Sequence, residues 1–179
     1  MIFANNKAYF FKLATIALFS IILLVLNKIT INIPNLSPLI AIITIGAYFF
    51  KNKLVFLSTI LISQIISDFI LGVYGGISIV YLSLMLIVFT VDKVFKKISF
   101  YNLILISLYS SFVFFLTTNP IHLLFSSSSL NYNSLMSTYR DGLPFFAYTL
   151  CATLAYNFFF LTLITIFRVK SNIATKSAN

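Results

Sequence analysis

Few side chains in this sequence can do chemistry, and the most unusual of them is a carboxylate inside a long apolar run. Asp68 lies four residues after Gln64 and four before Gly72, so the three share one face of a helix. Ser63 and Ser67 form the adjacent row. A carboxylate in such a run either contacts a ligand or ion, or pairs with another group and holds helices together. Both interpretations of Asp68 remain open at this point.

Two predicted helix starts carry polar residues of their own. Ser37 is a typical N-cap before Pro38, and the Asp-Gly-Leu-Pro segment at 141–144 has the same character. Three helix N-termini are expected at one end of the protein, where their free N–H groups and partial positive charge suit a small polar ligand. The alternative is that these polar residues only terminate helices next to water.

The candidate substrate-binding residues are the polar side chains expected at that end of the protein. They are Asn35, Ser37, Asp68, Tyr74, Asn119, His122, Tyr139 and Arg140. If Asp68 is structural instead, Arg140 or Lys28 is its expected partner.

Catalytic motifs are absent from the sequence. His122 is the only histidine, so neither a histidine pair for a metal nor an H-E-x-x-H motif is possible. There is no G-x-S-x-G elbow and no P-loop, and an aspartyl mechanism needs two carboxylates at one site. We therefore predict no catalytic residue, no metal, no cofactor and no enzyme activity.

The last apolar run contains residues that predict helix packing. One row, spaced by four, consists of small side chains, which let helices approach closely in lipid: Ala147, Cys151 and Ala155. On a neighbouring row, Asn157 is expected near the middle of the membrane and in hydrogen-bonding contact with another helix. Cys151 is the only cysteine, so no disulfide forms within the chain.

The composition identifies the environment of these residues. The chain is 60% hydrophobic and 8% charged, against about 25% charged residues in soluble proteins. A soluble domain of 179 residues needs more polar cover than this, whereas a bilayer removes the need. Twelve basic residues outnumber three acidic ones, but they lie in short groups between apolar runs rather than in a nucleic-acid patch. The predicted partner is the lipid bilayer, not nucleic acid.

Six apolar segments have the length, or nearly the length, of transmembrane helices. They are about 9–26, 38–50, 54–71, 77–91, 101–118 and 144–167. Helices are predicted because open strands leave backbone groups unpaired in hydrocarbon, and no barrel-like alternation occurs. The predicted fold is an all-α integral membrane protein, with a single transmembrane domain over residues 1–179.

The basic residues predict the orientation of these helices. With the N-terminus inside, ten Lys and Arg residues fall on the cytoplasmic side and two, Lys28 and Arg140, fall outside. Both termini are therefore predicted to be cytoplasmic. Asp68 then lies about one helical turn from the outer end of the third helix, near the outer water.

Two of the predicted outer segments are unusual. Residues 31–38 are apolar enough to dip into the membrane, but Pro34 and Pro38 interrupt them. Residues 119–143 form a long predicted loop, and loops of this length are commonly functional. A short interfacial helix is expected within this loop, with Leu130, Leu135, Met136 and Tyr139 on it.

Several motifs resemble an uncharacterised bacterial family of small membrane proteins, over roughly residues 33–160. They are Pro34-Asn35-Leu36-Ser37-Pro38, Gly46-Ala47-Tyr48-Phe49, Ser67-Asp68-Phe69-Ile70-Leu71-Gly72, Thr118-Asn119, Gly142-Leu143-Pro144-Phe145-Phe146 and Thr149-Leu150. That family in turn resembles the substrate-binding S components of energy-coupling-factor (ECF) transporters.

The resemblance implies a six-helix, ECF S-component-like bundle with an outward pocket, built partly from the first outer segment and the long fifth loop. It also implies a transmembrane coupling subunit and ATPases as partners. S components usually present an A-x-x-x-A row to that subunit on the first helix. Here Ala4 and Ala8 precede the apolar run, and Ala14 and Ala17 are three apart, so this row departs from the pattern.

These observations predict a multi-pass protein of the bacterial cytoplasmic (inner) membrane. Its predicted function is that of a substrate-binding component for uptake of an unidentified small polar molecule. The alternative is a non-transporting membrane scaffold or partner subunit that acts through helix packing. A ligand-sized cavity open to the outer face distinguishes the first function from the second.

Overall fold

The computed structural model describes residues 15, 18–27, 29–30, 35–50, 52–73, 75–95, 99–121, 123 and 131–177. In this part of the chain six main helices form, and the all-α prediction is confirmed. They are α1 (Leu18–Asn27), α2 (Leu39–Phe49), α3 (Lys53–Leu71), α4 (Ile77–Val94), α5 (Phe100–Thr118) and α6 (Tyr132–Ser177). The bounds of α2 to α5 lie close to those predicted from the apolar runs.

Among the residues that the structure describes, three stretches are long and apolar enough to cross a membrane. They are Lys53–Ile70 of α3, Phe100–Thr118 of α5 and Tyr132–Ile166 of α6. The apolar stretches Leu18–Asn27 of α1 and Ile77–Val91 of α4 are shorter. The chain thus has helices of the kind found in membrane proteins, and the six crossings stay a prediction.

Helix α2 lies at the centre of the bundle and contacts α3, α4, α5 and α6. Its sequence is apolar on every side, as expected of a helix surrounded by others. At Gly46 a Cβ atom would lie 2.1 Å from Cζ of Phe56, so the glycine permits this ring to pack against the α2 backbone. Phe56 is fully buried and stacks on Phe50 with ring centroids 4.9 Å apart.

Helices α5 and α6 pack against each other in opposite directions. The ring of Phe100, at the start of α5, contacts Phe158, whereas that of Phe112, two-thirds along α5, contacts Phe146. Residues later in α5 therefore contact residues earlier in α6, so the two helices are antiparallel. Helix α4 is the second neighbour of α5, and Thr117 Oγ1 donates to Ser83 Oγ at 2.6 Å across that interface.

The last helix begins earlier than predicted. Helix α6 runs for 46 residues from Tyr132 and passes through Pro144, so the predicted start at 141–144 is not a helix start. The Asn131 side chain caps it instead by accepting a hydrogen bond from the Ser134 N–H at 2.8 Å. Most of the predicted short interfacial helix, including Met136, is part of α6. The cost of a proline inside an apolar helix is offset when neighbouring helices hold both sides of it.

The small-residue row of α6 does not lie between the helices that the structure describes. Ala147, Cys151 and Ala155 are all exposed. The buried face is the neighbouring one, on which Ala152 and Thr153 are at most 3% exposed. Asn157 and Thr153 on this face form hydrogen bonds with hydroxyl groups of α2 and α5, those of Thr44, Ser107 and Ser111.

Candidate functional site

Asp68 lies between α3 and α4 and is 4% exposed. Nε2 of Gln64 donates to both carboxylate oxygens, at 3.1 Å from Oδ1 and 3.0 Å from Oδ2. The Tyr81 hydroxyl donates to Oδ2 at 2.9 Å. Asp68, Gln64 and Tyr81, which we call the carboxylate cluster, thus hold one acidic side chain with three hydrogen bonds.

Helix α3 turns its polar face into the protein. Ser63, Gln64, Ser67 and Asp68 are all at most 8% exposed, whereas Phe69 and Ile70 are 75% and 60% exposed. This pattern is the reverse of a soluble amphipathic helix and fits a helix that faces lipid on its outer side. The helix ends at Gly72, where φ is +107°, a value that favours glycine. The short turn that follows brings α4, and with it Tyr81, back beside Asp68.

No lysine or arginine within the described segments forms an ion pair with Asp68. Arg140, one of its two expected partners, lies beside Asp141 instead, with Nε 3.4 Å from Oδ1 and both side chains at least 70% exposed. The other, Lys28, lies outside the described residues. In addition, Oε1 of Gln64 is buried without a hydrogen-bond partner. The carboxylate cluster therefore has more acceptor oxygens than donors.

Two further candidate residues, Asn119 and Tyr139, join α5 to α6. Nδ2 of Asn119 donates to the Thr138 carbonyl at 2.7 Å, and the Tyr139 hydroxyl donates to the Leu116 carbonyl at 2.9 Å. Gly142 lies beneath Asn119, since a Cβ atom there would be 2.2 Å from Asn119 Oδ1. This group ties the end of α5 to the first turns of α6 and is distinct from the α3–α4 interface that holds Asp68.

Two of the remaining candidates, Asn35 and Ser37, lie just before α2. The Ser37 hydroxyl accepts a hydrogen bond from the Leu39 N–H at 3.3 Å. Helix α2 begins at Leu39, one residue later than predicted, with Pro38 rather than Ser37 at the N-cap. Asn35 is exposed, with φ +63°. Tyr74 and His122 lie outside the described residues. Of the candidate residues within the described ranges, none forms a hydrogen bond with Asp68.

A second polar network lies deeper in the bundle and joins three helices. Thr44 Oγ1 donates to Asn157 Oδ1 at 2.9 Å, and Asn157 Nδ2 donates to Ser107 Oγ at 2.8 Å. All three side chains are at most 2% exposed. Thr117 on α5 marks the level of the carboxylate cluster, because it bonds Ser83, two residues after Tyr81 on α4. Ser107 precedes Thr117 by about 15 Å along the axis of α5. The network therefore lies well below the end of the bundle that holds the carboxylate cluster.

A cavity of about 540 Å³ runs along α5 and has an apolar lining. It is lined by Phe95, Leu105, Leu108, Tyr109, Phe112 and Phe146. Leu108 and Phe112 are about half exposed on the outside of the bundle. No candidate substrate-binding residue lines this cavity, and its chemistry suits hydrocarbon rather than a polar ligand.

Sequence reasoning missed Tyr81, although a signal for it exists. In a helical hairpin, residues equally far from the turn lie side by side, because the two helices are antiparallel. Asp68 is four residues before Gly72, and Tyr81 is five after Gly76.

No curated protein and no solved structure shows significant similarity to the chain. The model of one protein family does match, from residue 7 to residue 175, and this family has no known function. Membership of an uncharacterised family, as its motifs predict, is thereby confirmed. Because the match covers nearly the whole chain, the protein belongs to the DUF6580 family of unknown function.

Proposed function

We propose that the protein is a membrane component that binds a small polar molecule from outside the cell for uptake. The observation that carries this proposal is the carboxylate cluster. A buried carboxylate in an apolar helix is costly, and such residues mark ligand and ion pathways in membrane proteins. Asp68 has no cationic partner within the described segments, and Oε1 of Gln64 has no donor. A ligand that donates hydrogen bonds supplies what this site lacks.

The charge pattern supports access to this site from outside. Ten Lys and Arg residues fall on one side of the predicted topology and two on the other. In that topology the end of α3 that carries Asp68 faces out. The protein then lies in a bacterial cytoplasmic membrane with six crossings and both termini inside.

Energy for uptake has to come from a partner in this proposal. The sequence contains no P-loop, so the chain hydrolyses no nucleotide itself. The resemblance of its motifs to ECF S components supports a coupling subunit and ATPases as those partners. Asn119 and Tyr139 then shape the outer end of the bundle by holding α6 to α5, rather than by contacting the substrate.

Uptake by intact cells tests the proposal. Cells that express the chain are compared with cells that lack it for accumulation of labelled amino acids, sugars, nucleosides and organic acids. We expect one class to accumulate, and Asp68→Asn to abolish that accumulation at an equal amount of protein in the membrane. Asp141→Asn removes an exposed carboxylate and serves as the matched control. Equal accumulation by wild type and Asp68→Asn would contradict the proposal.

A second candidate function is a non-transporting scaffold. One observation favours it: the exposed row Ala147, Cys151 and Ala155 offers a close approach to a helix of another protein. Ala155→Leu distinguishes the two functions, because it blocks such an approach without touching the carboxylate cluster. A scaffold loses its co-purifying membrane partner in this variant, whereas a solute-binding component keeps its ligand.

A further inference from the structure

We propose that the carboxylate cluster, Asp68 with Gln64 and Tyr81, binds a monovalent metal cation, Na⁺. The inference rests on the proposed function in that it uses the same site and names an ion bound there. It concerns binding alone, so it is tested without transport and without knowledge of the polar solute.

The negative charge of Asp68 favours a bound cation. Asp68 is 4% exposed, and each of its three hydrogen bonds comes from an uncharged donor, the Gln64 amide or the Tyr81 hydroxyl. Neutral donors stabilise a carboxylate but leave its net charge in a medium of low dielectric constant, which is costly. No basic side chain in the described ranges pairs with it. A bound cation would offset this charge.

The oxygen atoms of Asp68, Gln64 and Tyr81 can together serve as ligands for a cation. Oε1 of Gln64 is buried and accepts no hydrogen bond, while Nε2 of the same amide lies about 3 Å from both Asp68 oxygens. Rotating the Gln64 amide by half a turn about its terminal side-chain bond exchanges the positions of Oε1 and Nε2. Oε1 then lies beside the Asp68 carboxylate. With Tyr81 Oη 2.9 Å from Oδ2, four oxygens then lie together. Hard cations without strong geometric demands are bound by such oxygen sets.

The type of ion follows from the same side chains. A bare ion needs only a rotated amide of Gln64, which is 8% exposed. A transition metal is disfavoured because no group of three His, Cys, Asp or Glu residues occurs within the described part of the chain.

Thermal unfolding of the purified full-length protein in detergent tests this proposal. The melting temperature is measured in NaCl, KCl and choline chloride at equal ionic strength and constant pH. We expect NaCl to raise the melting temperature in a saturable way and the other two salts to do so far less. Binding of radioactive ²²Na⁺ to the same protein gives the dissociation constant directly.

Three variants assign the effect to residues. Asp68→Asn keeps the shape of the side chain and is expected to lose the Na⁺ response. Gln64→Leu keeps the volume and removes one ligand, so the dissociation constant should rise about tenfold, the equivalent of about 1.4 kcal/mol. Asp141→Asn should behave as wild type, since Asp141 is exposed and lies beside Arg140.

The proposal is overturned by a wild-type protein that responds equally to the three salts, even if Asp68→Asn does not fold. Loss of uptake with intact Na⁺ binding would count against the proposed uptake function and leave this site standing.

Discussion

At the scale of single residues, two buried amides of this bundle, those of Asn157 and Gln64, differ in how their hydrogen-bonding groups are satisfied. Asn157 accepts a hydrogen bond from Thr44 and donates one to Ser107, so it joins α6 to α2 and α5. Gln64 uses its nitrogen on Asp68 and leaves Oε1 without a partner. Satisfied amides hold helices together, whereas an unsatisfied acceptor beside a carboxylate indicates a place for a ligand.

Replacing Asn157 by leucine should weaken the bundle moderately. Thr44 and Ser107 each keep a hydrogen bond to a carbonyl of their own helix, to Ala41 and Leu103, so neither hydroxyl is left without a partner. The expected loss is about 1–2 kcal/mol in the free energy of unfolding in detergent, the range found for interhelical hydrogen bonds in membranes.

The control for this change is Thr162→Val. Thr162 is exposed, and its hydroxyl donates to the Phe158 carbonyl of its own helix, so its loss should leave the unfolding curve nearly unchanged. An Asn157→Leu protein as stable as wild type would show that the network does not hold the helices.

At the scale of the helix, the structure predicts which alanines of α6 tolerate a larger side chain. Ala152 is 3% exposed and faces the bundle, whereas Ala155 is exposed. Ala152→Leu should overpack the interface and lower stability by about 1–3 kcal/mol. Ala155→Leu should melt like the wild type. If Ala155→Leu were the more damaging of the two in the isolated protein, the observed orientation of α6 would be wrong.

The junction of α5 and α6 gives a second prediction at this scale. Alanine favours helix over glycine by about 1 kcal/mol, so Gly142→Ala would stabilise an isolated helix. In the protein the new Cβ meets Asn119 Oδ1 at 2.2 Å and must displace the side chain that binds the Thr138 carbonyl. We therefore expect Gly142→Ala to lower stability.

A double-mutant cycle measures this contact. Asn119→Ala removes the obstructing side chain, so adding Gly142→Ala to Asn119→Ala should cost nothing or stabilise the protein. Additive losses in the double variant would contradict the close packing of Asn119 over Gly142.

Helices α2 to α5 were predictable because local sequence signals mark where each of them starts and ends. Each is an apolar run that stops at a lysine, proline or glycine, and the row of Gln64 and Asp68 follows from helical spacing alone. The start of α6 was not predictable in this way. Gly142 and Pro144 resemble a helix start, and the helix continues to Tyr132 because contacts with α5 hold its first turns.

The candidate site was predictable only in part for a similar reason. Spacing along one helix places Gln64 beside Asp68, but which helix lies opposite depends on the fold. The carboxylate cluster formed at the α3–α4 interface, while Asn119 and Tyr139 closed the α5–α6 interface. The sequence could not separate these two groups, since both occur at helix ends that are expected on one side of the membrane.

At the scale of the whole molecule, the distribution of basic residues predicts the topology. A Cys151→Ser background removes the only cysteine, and single cysteines are then introduced at Lys53, Ser99, Gly75 and Asn131. A membrane-impermeant thiol reagent applied to intact cells should label the last two positions and not the first two. Labelling at Ser99 from outside would contradict the predicted arrangement with both termini in the cytoplasm.

Ligand-induced stabilisation of the purified protein tests most directly whether Asp68 belongs to a ligand site rather than to a structural contact. The melting temperature is measured at constant NaCl with a panel of small polar metabolites, for wild type and for Asp68→Asn. A true ligand at a hundred times its dissociation constant should stabilise the wild type by about 2.7 kcal/mol. We expect the panel to contain such a ligand, and we expect Asp68→Asn to fold without responding to it. A ligand site at Asp68 would be contradicted if the Asp68→Asn protein responded as strongly as the wild type. It would also be contradicted if no metabolite stabilised the wild type and Asp68→Asn only lowered the stability of the protein.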